Sequence, residues 1–285
     1  MAYRNSYTLD GVALTNVAAG YFPEKSTGIR TVPAKRSANI SYPGVDGEAF
    51  LAGAPYLPGG VAVTMYVEGA DHQGLMQNFE FLNGLFLQRH KLLTLRHDYN
   101  AAGTVYREAQ VKCVSSTDIK LLTMSSGLVE YALEIPKAFW RDGTATTWST
   151  NPLTTGPFTY NISGLYGGNA PVSDSLIRIK GALSGATITD VATGSQLVLT
   201  GPLTATEYCV IDPVNWVARK QTTNTWSLTG GTDYSNNVIS NRGFGSQFTM
   251  EPLIVAGLLQ YQVAFTTSSP ASSPVVEFQA KKAFL

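Results

Sequence analysis

Apolar and polar residues alternate over residues 61–67 (Val-Ala-Val-Thr-Met-Tyr-Val), the period of a strand with one face buried. The period then changes. Between 71 and 90, Leu75, Phe79, Leu82 and Phe86 recur at i, i+4, i+7 and i+11, and Met76 and Leu85 widen the same stripe, which predicts one amphipathic helix. Asp71 stands where an N-cap accepts from the first free amides. Gly74 and Gly84 each weaken the helix by about 1 kcal/mol relative to alanine. Four large apolar groups at about 1.5–3 kcal/mol apiece outweigh that cost once packed on a sheet. The stripe is therefore read as core, not as a cofactor site.

Strand patterns resume at 92–97, at 105–115 with Cys113 inside it, and at 128–135, where apolar and polar residues alternate again. Upstream, residues 6–20 read as two short strands around an Asp10-Gly11 turn, and 36–42 as a further strand. Residues 43–60 are rich in Gly and Pro yet carry Val45, Phe50, Leu51, Tyr56 and Leu57. Apolar side chains on such a loop need something to pack on. Either it is an arm that meets a neighbouring subunit, which makes those five residues interface candidates, or it folds back on its own domain. The pattern stops at Pro136-Lys-Ala-Phe139-Trp140, and Thr, Ser, Gly, Asn and Pro dominate the rest of the chain.

That break defines two domains, 1–143 and 144–285. The first is α+β: an antiparallel sheet or split barrel with a single helix. In the second, 142–156 is a linker or lead-in strand. Short strand candidates then recur at 158–162, 176–180, 187–191, 196–199, 208–211, 216–219, 247–250, 260–266 and 275–279, with no helix among them. Such spacing predicts a β-sandwich of jelly-roll or galectin-like type, so the chain as a whole is mainly β.

Composition sharpens this picture. Of 285 residues 44% are hydrophobic and only 14% charged, well below the usual quarter, yet no apolar run is long enough to cross a bilayer. Two explanations stay open: an exterior covered by partner subunits, or an ordinary secreted β-sandwich. Charge is balanced in each half, with thirteen basic and thirteen acidic residues through Asp142 and seven of each after it. No basic stripe exists to grip phosphates. Cys113 and Cys209 fall in different halves, which argues for buried free thiols over a disulfide. The first residues lack the apolar core of a signal peptide, so the protein is expected to stay in the compartment where it is made.

Catalytic chemistry finds no foothold. His72, His90 and His97 form no His-Glu-x-x-His pattern and no close Cys/His spacing, so no metal site is expected. There is no Gly-x-Ser-x-Gly nucleophile turn, and Gly243-Phe-Gly245 lacks the strand–helix setting of a phosphate loop. Glu130 and Glu134 share one strand face, and Asp212 before Pro213 makes a turn, so no carboxylate pair spans a cleft. No catalytic residue and no cofactor are expected. Trp148, Trp216, Trp226 and Tyr234 are left as aromatics that either stack on a sugar or fill the sandwich; Trp216 and Trp226, near turns, are the sugar-contact candidates.

The order of these features resembles a known family. An Asp10-Gly11 hairpin, a lone helix between strands, a strand ending in Pro136-x-x-Phe139-Trp140, then Leu176-Ile-Arg-Ile-Lys-Gly181, Thr193-Gly194 and Tyr208-Cys-Val-Ile-Asp212 are together similar to the distal tail proteins of long, non-contractile-tailed bacteriophages. The resemblance spans the whole chain, although Lys137 and Ala138 separate the proline from the aromatic pair. It implies a tail-tube-like first domain that closes into a ring, commonly of six copies, at the virion tail tip. It implies as partners the tail-tube protein, a tail-associated hub or lysin protein, the tape-measure protein and receptor-binding or fibre proteins. DNA would pass through the lumen without specific binding. Two alternatives remain: a carbohydrate-binding module for host wall sugar, and a tail-tube subunit.

Overall fold

The computed structural model describes residues 6–28, 31–34, 56–100, 102–154, 156–241, 248–268, 270 and 274–285. The chain divides into two compact units between Gly143 and Thr144. The strand expected at 36–42, and Val45, Phe50 and Leu51 of the apolar loop, lie outside the described residues.

The first unit contains β1 (Ser6–Leu9), β2 (Val12–Ala13), β3 (Tyr21–Thr27), β4 (Gly59–Glu68), α1 (His72–Phe86), β5 (Leu93–Asp98), β6 (Tyr106–Ser116), β7 (Lys120–Leu121), β8 (Ser126–Ile135) and β9 (Trp140–Asp142). The strands run in the order β2-β1-β5-β6-β8-β4-β3, every pairing antiparallel. At the β1–β2 turn Asp10 and Gly11 both take positive φ (50° and 81°), the left-handed pair that a two-residue hairpin needs. The eleven-residue strand β6 is shared. Its first half pairs with β5 and its second half with β8, and a bulge between Cys113 and Ser115 turns the sheet at that corner.

Alternation decides which face is inside. Val61, Val63, Met65 and Val67 of β4 and Val129, Tyr131, Leu133 and Ile135 of β8 are buried, and α1 lays Leu75, Leu82, Leu85 and Phe86 over them. Phe79 is half-buried at the margin. The Phe86 ring stacks on Tyr131 at 4.0 Å between centroids, and the Tyr131 hydroxyl donates to Asn83 Oδ1 (2.9 Å). Asn78 Nδ2 donates to the carbonyls of Glu68 (2.7 Å) and Ala19 (2.8 Å), which pins the helix to the strand ends beneath it. Asp71 caps α1 by accepting from the Gly74 amide (2.8 Å). The helix ends at Phe86, four residues short of the expected 90, because Gln88, Arg89 and His90 offer nothing apolar to carry the stripe onward.

The Pro136-Lys-Ala-Phe-Trp motif is a tight turn off β8. Ala138 has φ 63°, its amide donates to Ile135 O (3.0 Å), and Phe139 and Trp140 are buried as β9 returns along β6.

The second unit contains β10 (Thr146–Ser149), β11 (Gly156–Asn161), β12 (Leu176–Lys180), β13 (Gly185–Asp190), β14 (Gln196–Leu199), β15 (Tyr208–Asp212), β16 (Val217–Gln221), β17 (Thr232–Asp233), β18 (Val238–Ser240), β19 (Leu253–Val255), β20 (Leu258–Gln260), β21 (Gln262–Ser268) and β22 (Val275–Ala280). They form two antiparallel sheets, β10-β22-β12-β15-β16-β17 and β11-β21-β13-β14-β18, with β19–β20 a separate hairpin. Aromatic rings join the sheets face to face: Trp148 meets Tyr160 at 5.7 Å, Tyr160 meets Phe265 at 5.8 Å, and Phe265 meets Phe278 at 5.9 Å. This is the β-sandwich expected from the strand spacing. One candidate strand is corrected: in 247–250 the described residues form no strand. Phe248 and Met250 are fully buried, but only Met250 bridges, to Val172. Two apolar residues sent into a core read like half a strand in sequence.

Candidate functional site

Among the described residues, no three His, Cys, Asp or Glu side chains stand close enough to hold a metal ion. The histidines are apart. His72 and His90 are exposed, and His97 is buried, stacked on Tyr7 at 4.6 Å with Tyr99 at 4.5 Å. Cys113 and Cys209 are free thiols, and burial pushes the Cys209 thiol up to about 12. Asp212 accepts from the amides of Val214 (2.9 Å) and Asn215 (3.2 Å) and so builds the β15–β16 turn. Glu130 is exposed, and Glu134 pairs with Lys112 at 2.9 Å.

One carboxylate stands out that sequence reasoning passed over. Asp190 is fully buried at the end of β13. Its Oδ2 accepts from the Thr193 amide (3.0 Å) and hydroxyl (2.7 Å), and its Oδ1 from the Glu251 amide (3.3 Å). Burial raises its pKa from an ordinary 3.8 to about 6, against the pull of those hydrogen bonds. In sequence, Asp-x-x-Thr-Gly looks like any turn; only burial makes it unusual. Because the folded value lies above the unfolded one, the folded state holds the proton more tightly. The resulting penalty is absent below about pH 4, grows to pH 6 and is full above it, on the order of 3 kcal/mol. The stability difference between Asp190→Asn and the parent, measured by urea unfolding at pH 4 and pH 7, should therefore shift by about that amount in favour of the variant as pH rises. An unchanged difference would show that the carboxyl titrates normally.

The aromatic candidates of the second unit are engaged within it. The Arg178 guanidinium lies 4.3 Å from the ring centroid of Trp226, so one face of that indole covers a cation. Trp216 is held at φ 53° in the β15–β16 turn with its Nε1 buried. Trp148 packs between the sheets, and the Tyr234 hydroxyl donates to Pro202 O (2.9 Å). These four side chains do not converge on one cleft.

What the described surface offers instead is apolar relief. Of the loop candidates, Tyr56 meets Phe139 edge-on at 5.0 Å, whereas Leu57 is exposed. Leu121, Leu122 and Met124 project from the β7–β8 hairpin, Met124 with 77% of its surface free. In the second unit Ile254 (75%) and Leu258 (64%) crown the β19–β20 hairpin, whose turn places Ala256 and Gly257 at positive φ. A two-stranded hairpin with such a surface gains stability by packing against something else. Both tips escaped the sequence reading. A short apolar run inside a turn-rich segment, Leu121-Leu-Thr-Met124 or Leu258-Leu259 after Gly257, was the available signal.

The chain is mainly β, with an α+β first unit that carries the one α-helix among the described residues and a β-sandwich second unit, and solved structures share this fold. In particular, the chain is similar to the crystal structure of Dit (gp 19.1) of phage SPP1, described as a paradigm of the hub adsorption apparatus in Gram-positive infecting phages. The TM-score is 0.64 at 13% identity, over 99% of this chain and 100% of that one. The fold is thus that of a distal tail protein. Structures of infectious bursal disease virus, Gt and Gx strains, align at TM-score 0.14 and 11% identity, over 82% and 83% of this chain and 52% and 63% of theirs, and carry no argument. No protein-family model and no curated sequence matches the chain.

Proposed function

We propose that this chain is a structural, non-catalytic protein of a phage tail tip. Its first unit closes with identical copies into a ring, commonly of six, and that ring joins the tail tube to the hub and fibre apparatus. The observation that carries this reading is the likeness to Dit, which runs through both units in order and over the full length of each chain. Two further features agree with it. Charge is balanced in each half, as suits a lumen through which DNA and a tape-measure protein slide without sticking. The exposed apolar hairpin β19–β20 gives the second unit a surface on which receptor-binding or fibre proteins could be seated.

Gold-labelled antibody against this chain, applied to the virions that carry it, should mark one end of the tail. Label along the whole tail would instead identify a tube subunit, and absence of label from intact and detergent-opened particles would remove the reading. No observation in the second unit favours a sugar site over a packing role for Trp216 or Trp226.

A further inference from the structure

The α1–β5 loop and the bulged corner of β6 enclose a pocket of about 540 Å³ that the proposed function leaves unused. We propose that this pocket docks an acidic segment of another protein, one in which an apolar anchor stands beside carboxylates. Such a site holds whether or not the first unit closes into a ring.

Two stretches of chain build it. α1 stops at Phe86, Leu87 donates its amide to Asn83 O (2.9 Å), and residues 87–92 then lead into β5. The other wall is Lys112-Cys-Val114, where the register of β6 against β8 shifts between Cys113 and Ser115. Each wall carries an ion pair to a carboxylate behind it. Lys91 Nζ lies 2.6 Å from Asp10 Oδ2, and Lys112 Nζ lies 2.9 Å from Glu134 Oε1.

The lining states what chemistry an occupant needs. Leu87, Leu92 and Val114 leave 43%, 41% and 55% of their surface free, so three aliphatic side chains around one hollow stand uncovered. Arg89, Lys91 and Lys112 line the same pocket, and among the described residues no carboxylate does. Asp10 and Glu134 answer the two lysines from outside it. Arg89 has no carboxylate partner among the described residues, and exposed His90 adds its ring nitrogens. One guanidinium fork is thus open to a carboxylate, with lysine donors to spare beside it. An apolar anchor covers the aliphatic groups while its flanking acids meet the cations.

Nucleic acid fits this lining less well. Among the described residues no Phe, Tyr or Trp lines the pocket for a base to stack on. The cations also form a cluster, not a track for successive phosphates.

Cys113 lines the pocket and Cys209, the other thiol, is fully buried, so the native chain reports on its own site. The probe is the blocked peptide Glu-Asp-Leu-Phe-Asp-Glu, and the readout is the rate at which a maleimide labels Cys113 in the full-length chain. The peptide should slow labelling on the order of tenfold at saturation. Arg89→Glu should weaken its hold by about tenfold without changing the circular dichroism spectrum, and raised salt should weaken it too. A matched peptide with Ser-Ser in place of Leu-Phe should protect far less. Equal protection by that peptide would overturn the apolar anchor, and undiminished protection of Arg89→Glu would overturn the charge pairing. Protection by a thymidine oligonucleotide alone would overturn the choice of a protein partner. If the parent resists labelling until Phe50→Ser exposes Cys113, the chain's own 43–60 loop fills the pocket, and an outside partner is overturned. No slowing by any probe removes the proposal outright.

Discussion

Replacing Arg178 with methionine is expected to lower the stability of the second unit by about 3–5 kcal/mol. Arg178 and Glu277 face each other across β12 and β22, with Nε donating to Oε2 at 2.6 Å and both side chains about nine-tenths buried. The pair sits on the outer face of its sheet, where alternation predicts exposure: Ile177 and Ile179 point into the sandwich, and Arg178 between them points away. It is buried because the loop bearing Trp226 folds back over the guanidinium. Removing the cation leaves a carboxylate out of water, with Lys180 at 3.4 Å as the remaining partner, which places the effect at the lower end of that range. The double variant Arg178→Met with Glu277→Leu should recover most of the loss, because no unpaired charge remains. Urea unfolding followed by tryptophan fluorescence checks both. A single-variant effect below about 1 kcal/mol would mean that water reaches the pair freely. Trp226→Ala should destabilise as well, which a tryptophan reserved for stacking on sugar would not do.

Phe86→Ala should cost the first unit about 3–5 kcal/mol. The ring is fully buried, lies nearly parallel to Tyr131 (4° between planes) and occupies the last turn of the only α-helix among the described residues. Its loss leaves a cavity between α1 and β8 and removes the stacking partner of a fully buried tyrosine. Phe86→Leu, which keeps most of the volume, should lose much less. Equal losses for the two variants would show that the aromatic stack, not the filled space, holds the helix down.

How far the fold could be read in advance depended on what each segment buries. β4, β8 and α1 each turn one face to the core, so their periods were plain, and the Asp10-Gly11 hairpin announced itself by residue type. β3 did not: it is an edge strand with Pro23 in it, a register shift between Pro23 and Lys25, and charges along its exposed side. Edge strands carry such features because a clean apolar alternation there would invite unwanted pairing. The β19–β20 hairpin was hidden for the opposite reason, since Leu-Ile-Val-Ala-Gly-Leu-Leu reads as a buried run while its side chains stand in solvent. Apolar character in sequence does not say whether the covering surface belongs to the same chain.

The same gap separates the surfaces from their sequence signals. The loop at 43–60 was marked because its apolar residues sit among Gly and Pro, and of the described pair only Leu57 remains exposed. The hollow floored by Ala62, Val114 and Ala132 has no linear signature, because residues from β4, β6 and β8 meet there only through the register Ala62↔Ala132 and the bulge beside Val114. Asp190 likewise became notable only when its environment was known.

Electron-microscopic averaging of the purified full-length chain, alone and mixed with isolated tail tubes, addresses the central claim most directly. The account predicts closed rings of about six copies with an open centre, seated on one end of each tube, as heterologous pairing of copies requires. Single subunits that never associate, or open-ended tubes built by this chain alone, would contradict it.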